Sequence, residues 1–276
     1  MIAKGAVAIA EGRIGKPLEK YYAGRTRAPL QRSFIAFKSS AWLVVLSGFV
    51  EPVLYLFSFG FGVGALIGGI TAADGSTISY AAYIAPGLLA TSAMNGAIYD
   101  STWNVFWKIN ESKLYQGMLA TSLGPLDVAL GEIAWALLRG LMYAIGFMIV
   151  VTPLGLIENW WGLLAIPAAV LIAFGFASFG MAATSYMKSF QQMNYINMLM
   201  LPMFLFSGSL YPISVYPDWL EFIIKLMPSW HGIELVRDLW FSTFDNGTLI
   251  HVSYFCVMIV TGLYFTTRRL RNLFMR

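Results

Sequence analysis

Six long apolar segments, separated by polar connections, run along the chain. They are 41–68, 81–107, 128–152, 160–187, 193–211 and 249–267. Most reach the roughly 20 residues that a helix needs to cross a bilayer. Their apolar runs are continuous and lack the period of two that marks the strands of a membrane barrel. The pattern therefore predicts an all-α polytopic membrane protein with six transmembrane helices.

Lysine and arginine fall almost entirely on alternate connections between these segments. The amino-terminal arm and the tail at 268–276 are basic, and the second and fourth connections carry Lys108, Lys113 and Lys188. The connections at 69–81 and 153–159 carry neither residue type. Because short cytoplasmic loops retain Lys and Arg, we predict a multi-pass protein of the cytoplasmic (inner) membrane with both termini cytoplasmic.

Composition agrees with a membrane location. The chain is 58% hydrophobic and 12% charged, with a mean hydropathy of +0.67, far from the usual balance of soluble domains. Its net charge of +4 and pI near 9.1 are compatible with binding nucleic acid. These cations flank the predicted spans, however, so membrane lipid with anionic head groups is the predicted partner and nucleic acid is not.

Three appendages surround one predicted transmembrane domain at 41–267. The first is the basic cytoplasmic arm at 1–40, in which aromatic and leucine side chains interleave with Lys and Arg. This interleaving predicts an amphipathic helix in the membrane interface, which Pro29 is expected to break into two pieces. The basic tail at 268–276 completes the cytoplasmic side.

The second appendage is the cytoplasmic connection at 108–127. Its centre, 111–121, has helical spacing with Leu114 and Met118 on one face, and Gly124 and Pro125 end it. Such a short amphipathic helix either docks a soluble partner or packs against the protein's own helix ends. The residues alone leave both interpretations open.

The third appendage is the external segment at 212–248. Two short amphipathic helices are predicted there: the first contains Trp219, and the second, which follows a break at Pro228, contains His231, Glu234 and Arg237. Neither is long enough to span, so each is predicted to be interfacial or re-entrant. His231 and His251 lack a surrounding pattern of Cys, Asp or Glu ligands, so no metal site is predicted.

An acid and a base lie inside the predicted spans. Glu51 stands about ten residues into the first span, directly before Pro52, where an unpaired carboxylate is costly. Arg139 lies within the third span at a comparable depth. We predict an intramembrane polar pair of Glu51 and Arg139 that pins two helices; a role of Glu51 in substrate recognition or gating is the alternative.

Four stretches of the chain carry a family resemblance. They are EPVLYLFSFGFGVG (51–64), YIAPGLLATSAMNGAIYDSTWNVFWK (83–108), ESKLYQGMLATSLGPLDVALGEIAWALLRG (111–140) and LPMFLFSGSLYPISVYPDWLEFIIKLMPSWHGIELVRDL (201–239). Through them the chain resembles the permease subunits of ABC-2 type ATP-binding-cassette exporters, and it is especially similar to the branch that exports nodulation-factor lipooligosaccharides, polysaccharides or drugs. The resemblance covers most of the chain from about residue 32 onward.

This resemblance implies six spans per subunit, a second permease copy or a sister permease, and two copies of a separate ABC ATPase subunit. It identifies 111–121 as the coupling helix against the ATPase and the two external half-helices as a cap over the translocation path. The coupling residues it implies are Glu111, Lys113, Leu114, Tyr115, Met118 and Leu119.

Sequence motifs agree with ATP hydrolysis by a separate subunit. No G-x-x-x-x-G-K-[ST] string occurs, the nearest being GRIGKP at 12–17, so the chain is not expected to bind ATP in a P-loop. We predict no catalytic residue and no cofactor in this chain, with ATP and Mg²⁺ bound by the partner ATPase.

The predicted function is outward transport of an amphipathic substrate such as a glycolipid, a lipid-linked saccharide or a lipooligosaccharide. A multidrug or antibiotic efflux permease of the same family is the alternative. A secondary transporter would carry interrupted helices with intramembrane ion ligands, and a membrane-embedded transferase would carry a cluster of catalytic acids or histidines.

Overall fold

The structure is a computed structural model that describes residues 24–38, 50–71, 77–157 and 159–274. Within these ranges the chain is almost wholly helical, which confirms the all-α prediction. Two short antiparallel strands, β1 (Gly69–Thr71) and β2 (Thr77–Ser79), pair with Ile70 opposite Ile78. They form the hairpin between the first two predicted spans.

The helices lie close to the segments that the apolar pattern predicts. In chain order they are α1 (Arg27–Lys38), α2 (Val50–Ile67), α3 (Tyr80–Tyr99), α4 (Val105–Asn110), α5 (Leu114–Leu119), α6 (Pro125–Val151), α7 (Ala165–Tyr186), α8 (Met193–Leu205), α9 (Asp218–Lys225), α10 (Pro228–Phe241) and α11 (Asn246–Phe274). A π-helical turn at Asp100–Asn104 joins α3 to α4 without a break, and α2 is π-helical over Leu56–Val63.

Four of the described helices are long and apolar enough to cross a membrane. They are α2, α6 with the turn after it (Pro125–Leu154), α7 with the turn before it (Trp160–Tyr186), and α11. These correspond to the first, third, fourth and sixth predicted spans. The chain is therefore a membrane protein.

The second and fifth predicted spans are also helical, but they are not both long and apolar enough to be counted with these four helices. Helix α3 is rich in Ala and also carries Thr91, Ser92 and Asn95, and most of its residues are buried by other helices. Helix α8 has 13 residues, about 20 Å of helix, and ends well before the predicted boundary at 211. The described residues thus contain four helices that are able to span a membrane, together with α3 and α8, which are less apolar or shorter.

Helix α3 lies at the centre of the bundle. It packs against α2, α6, α7 and α10, and its residues Ile84, Leu88 and Leu89 are fully buried. The longest packing seam joins α7 to α11, and there a Cβ added to Gly262 would lie 2.6 Å from the backbone of Ser178. A residue without a side chain is needed for this close approach.

Helix α1 is the part of the predicted amino-terminal helix that follows the expected break. It begins at Arg27, and Pro29 lies in its first turn, where backbone N–H groups have no partner within the helix. Pro29 packs on Gly131 of α6, and the ring of Phe37 meets the ring of Trp135 edge-on at 5.1 Å. The part of the arm at 1–23 lies outside the described residues.

Candidate functional site

A cavity of about 750 Å³ lies between α2, α3, α6 and α8. Its walls combine polar and apolar side chains. The polar lining includes Glu51, Asn95, Asn104, Arg139, Tyr143 and Asn197. The apolar and aromatic lining includes Pro52, Tyr55, Leu88, Met200, Leu201 and Phe204.

Arg139 is held on one wall of this cavity by a buried carboxylate. Its Nη1 donates to Oδ1 of Asp100 at 2.5 Å, and its Nε and Nη2 donate to the hydroxyl of Tyr143 at 3.2 and 2.6 Å. The amide of Asn104 donates to the same Asp100 oxygen at 2.5 Å. The Asp100 side chain is only 4% exposed and that of Arg139 13%. The charge of Arg139 is therefore neutralised by a neighbour in the π-helical turn that follows α3.

Glu51 does not take part in this ion pair. It is exposed on the cavity wall formed by α2 and has no salt bridge with any residue in the described ranges. The predicted pairing of Glu51 with Arg139 is therefore replaced by pairing of Asp100 with Arg139. The reason is packing, since α3 lies directly against α6 whereas α2 faces α6 across the cavity.

A second buried ion pair joins the same helical region to α6 nearer the connection at 108–127. Nζ of Lys108 on α4 lies 2.5 Å from Oε2 of Glu132 on α6, and the glutamate side chain is 4% exposed. Eight residues separate the two positions on α3–α4 and seven separate those on α6, about 12 and 10 Å along the helices. One ion pair holds the first residue of the π-helical turn and the other holds α4 beyond the end of that turn, and such π-helical turns often mark functional sites.

Helix α5 is shorter than the predicted coupling helix at 111–121. Lys113 has left-handed backbone angles (φ 50°, ψ 25°), so the helix begins at Leu114. The side chains divide into two sets. Tyr115, Met118 and Leu119 are buried and Leu114 is half-buried, whereas Glu111, Ser112, Lys113, Gln116, Gly117 and Ala120 are exposed.

Tyr115 anchors α5 to the rest of the protein. It is completely buried, and burial raises the pKa of its hydroxyl well above the usual value. Glu132 on α6 adds to that rise, while Arg32 on α1 opposes it. The apolar face of α5 thus packs against the protein itself, and its polar face is the one that a soluble partner can reach.

Asp127 fixes the start of α6 beside this segment. Its Oδ2 accepts a hydrogen bond from the backbone N–H of Gly124 at 2.9 Å, and its Oδ1 accepts one from the backbone N–H of Arg25 at 2.8 Å. A carboxylate at a helix amino-terminus is favoured by the unpaired N–H groups there. One side chain therefore caps α6 and positions the chain that enters α1.

Helices α9 and α10, which were predicted to be external, differ in how firmly they are held. On α9, Trp219 is exposed. Pro228 is the first residue of α10, where Pro is well tolerated. Arg237 on α10 pairs with Glu234 at 2.5 Å, donates to the carbonyl of Gly208 at 2.9 Å and lies 4.6 Å over the ring of Tyr83. Arg237 therefore connects α10 to α3 and to the loop after α8.

His231 on α10 and His251 on α11 form a buried pair. Their Nδ1 atoms lie 2.7 Å apart, and the ring of Tyr254 stacks on His231 at 4.1 Å between centroids. Burial, and then the neighbouring His251, lower the pKa of His231 to about 4. The sequence alone did not predict that these two histidines are in contact. No group of three or more metal-ligating side chains occurs within the described ranges.

Comparison with known proteins places this chain in a family. Residues 25–241 match the ABC-2 type transporter family. The chain is 31% identical to Nodulation protein J of Rhizobium leguminosarum bv. viciae over 248 residues, which cover 89% of this chain and 93% of that protein. It is 32% identical to Nodulation protein J of Sinorhizobium fredii over 244 residues, which cover 88% and 91%.

Proposed function

This chain belongs to the ABC-2 type transporter family, in the branch of the Nodulation protein J permeases, and we propose that it is the permease subunit of an ATP-driven exporter. It carries an amphipathic substrate outward across the cytoplasmic membrane. As a permease it is a transport subunit and not an enzyme. ATP and Mg²⁺ are bound by two copies of a separate ABC ATPase.

The observation that carries the choice of substrate is the mixed lining of the cavity. Amide and hydroxyl groups such as those of Asn95, Asn197 and Tyr143 suit a hydrophilic head, whereas Leu201 and Phe204 suit an acyl chain. A glycolipid, lipid-linked saccharide or lipooligosaccharide has both parts. Drug or antibiotic efflux is the second candidate, and the adaptable side chain of Met200 on the apolar wall favours it.

The proposed topology has six spans, with both termini cytoplasmic. Helices α3–α4 and α8 are the second and fifth spans, α1 lies in the inner interface, and α9 and α10 cap the outer end of the path. The small residues of α3, together with the full burial of Ile84, Leu88 and Leu89, fit a span enclosed by protein on nearly all sides.

The exposed apolar residues of α2 and α8 are available to lipid and to a second permease, either a second copy or a sister subunit. They include Leu54, Phe57, Phe61, Met198, Leu199 and Leu201.

ATP hydrolysis is coupled to transport by a movement that passes from the exposed face of α5 to the cavity. The ATPase docks on the polar face that includes Lys113, Gln116 and Gly117, and its closure moves α5 as a rigid unit. Tyr115 and the Lys108–Glu132 ion pair then pass the motion to α6 and α4. These two elements hold the Asp100–Arg139 pair at the cavity wall.

Substitution at Gly117 tests the docking face. A Cβ added there meets no atom within 4 Å, so Gly117→Trp leaves the permease folded but blocks a close partner. We expect co-purification of the ATPase and substrate-stimulated ATP hydrolysis to fall about tenfold or more, a loss of about 1.4 kcal/mol in binding. Gly117→Ala is the matched control and retains both. Full complex formation by Gly117→Trp would contradict this docking face.

A further inference from the structure

The cavity presents one charge that has no counter-charge in the described part of the chain. Its charged lining residues are Glu51 and Arg139. Arg139 is neutralised by Asp100 and directs its remaining described hydrogen bonds to Tyr143. Glu51 is exposed to the cavity and forms no salt bridge with a described residue. A ligand in the cavity therefore meets the field of a carboxylate and a guanidinium that is already paired.

Uncommitted amide groups lie on the opposite walls. Asn95 on α3 and Asn197 on α8 line the cavity, and neither side chain hydrogen-bonds to a described residue. The amide of Asn104, in contrast, is already bonded to Asp100. Each free amide offers two donors and an acceptor, which suits the hydroxyl or amide groups of a polar ligand.

The side of the cavity nearest Glu51 is aromatic. The rings of Tyr55 and Phe204 lie 5.8 Å apart, and Tyr55 is one helical turn from Glu51 on α2. A carboxylate beside aromatic faces attracts a cation both by direct charge and through the ring quadrupoles. The same carboxylate repels a phosphate, and Arg139 is not free to compensate.

We infer that this cavity binds the polar head of the exported amphiphile and that Glu51 selects a head group with a positive charge over one that carries phosphate. The inference rests on the proposed function, since it names the substrate class of that site. Within the proposed cargoes it disfavours saccharides joined to lipid through phosphate. It favours amphiphiles with an amine among hydroxyl or amide groups.

Direct binding to the purified permease in nanodiscs tests this selection without the ATPase. The probes are three radiolabelled amphiphiles that differ at one position: dodecyl glucoside, its 6-amino-6-deoxy derivative and its 6-phosphate. We expect the amine to bind most tightly and the phosphate least, after subtraction of uptake by empty nanodiscs. Glu51→Gln should weaken binding of the amine about tenfold and change that of the neutral glucoside less than about twofold.

Matched variants separate the role of Glu51 from folding. Glu51→Asp keeps the charge and should retain the preference for the amine, while Glu221→Gln removes a carboxylate on α9 and should leave all three affinities unchanged. Each variant must elute as a single species with an unfolding temperature close to that of the wild type. If Glu51→Gln fails to fold, the order of the three probes on the wild type and on Glu51→Asp still tests the inference.

Three results would overturn the inference: tightest binding of the phosphate, equal effects of Glu51→Gln on all three probes, or binding of none of them. These failures are distinct from failure of the proposed function. An ATPase complex stimulated by its cargo, with no dependence on Glu51, would retain the exporter and reject the selection. Absence of any ATPase complex, with the preference for the amine intact, would reject the exporter and retain the selection by Glu51.

Discussion

Replacing Arg139 by methionine removes the counter-charge of Asp100 and keeps a long side chain against the cavity wall. The carboxylate then stays in a site where it is 4% exposed. Breaking a buried pair in this way costs about 3 to 5 kcal/mol. Asn104 still donates to Asp100 in the variant, so we expect the lower end, a loss of about 3 kcal/mol in the free energy of unfolding.

The opposite substitution is expected to be milder. Asp100→Asn leaves Arg139 with two hydrogen bonds to Tyr143 and with access to the cavity, so we expect a loss of about 1 to 2 kcal/mol. The double variant removes both charges and avoids the buried unpaired carboxylate. Its loss should be smaller than the sum of the two single losses by about 2 kcal/mol, which is the coupling energy of the pair.

Denaturant-induced unfolding in mixed micelles measures these free energies, provided that unfolding is reversible. A second cycle with Glu51→Gln and Arg139→Met serves as the control and should give a coupling energy of less than about 0.5 kcal/mol. A larger coupling of Arg139 to Glu51 than to Asp100 would refute the assignment of partners. Additive losses for Asp100 and Arg139 would also refute it.

Three further predictions concern packing, acidity and coupling. Gly262→Leu forces α7 and α11 apart at Ser178 and should cost about 1 to 3 kcal/mol in the same unfolding assay, whereas the exposed Thr261→Leu should cost little. The pKa of His231 is lowered from 6.5 to about 4 in the folded protein, so below pH 6.5 the unfolded chain binds more protons than the folded protein does. The melting temperature should therefore fall as the pH is lowered from 6.5 toward 4, and it should fall less in His231→Gln. A flat profile in the wild type would contradict a buried neutral pair. Tyr115→Ala should lower substrate-stimulated ATP hydrolysis more than Tyr115→Phe, because the ring and not the hydroxyl anchors α5; equal losses would contradict that role.

The apolar pattern predicted most of the fold because burial in a membrane leaves a long and simple signal. The runs that became α6 and α7 are found close to their predicted bounds. Helix α11 continues seven residues past the predicted end at 267, and the predicted start of the first span, 41–49, lies outside the described residues. The pattern was less informative for α3, which other helices cover on most sides and in which Ala and Gly alternate with larger apolar residues. The short α8 ends at Leu205, just before a turn in which Gly208 takes a positive φ of 79°, and hydropathy does not encode this turn.

The candidate site was only partly predictable, since partners across a bundle depend on which helices touch. Arg139 was identified as a buried charge, but the sequence analysis chose Glu51 as its partner because the two lie at similar depth in their spans. The contact of α3 with α6 selects Asp100 instead. A signal was present, because Asp100 and Lys108 on one element match Arg139 and Glu132 on the other with opposite charges at nearly equal spacing.

The coupling segment illustrates a second limit of the sequence. Periodicity located its helix but did not determine which face is exposed. The left-handed Lys113 removes the first turn of the predicted helix, and burial of Tyr115, Met118 and Leu119 directs the apolar face inward. Of the residues predicted to couple, Glu111 and Lys113 remain on the accessible surface.

ATP hydrolysis by the permease co-purified with its candidate ATPase in lipid nanodiscs tests the exporter assignment most directly. We expect a stable complex in which ATP hydrolysis rises when a glycolipid or amphipathic cation is added. That rise should be lost in Gly117→Trp and retained in Gly117→Ala. Transport of an amphiphile in proteoliposomes by the permease alone, with neither an ATPase partner nor ATP, would contradict the assignment as an ATP-driven exporter.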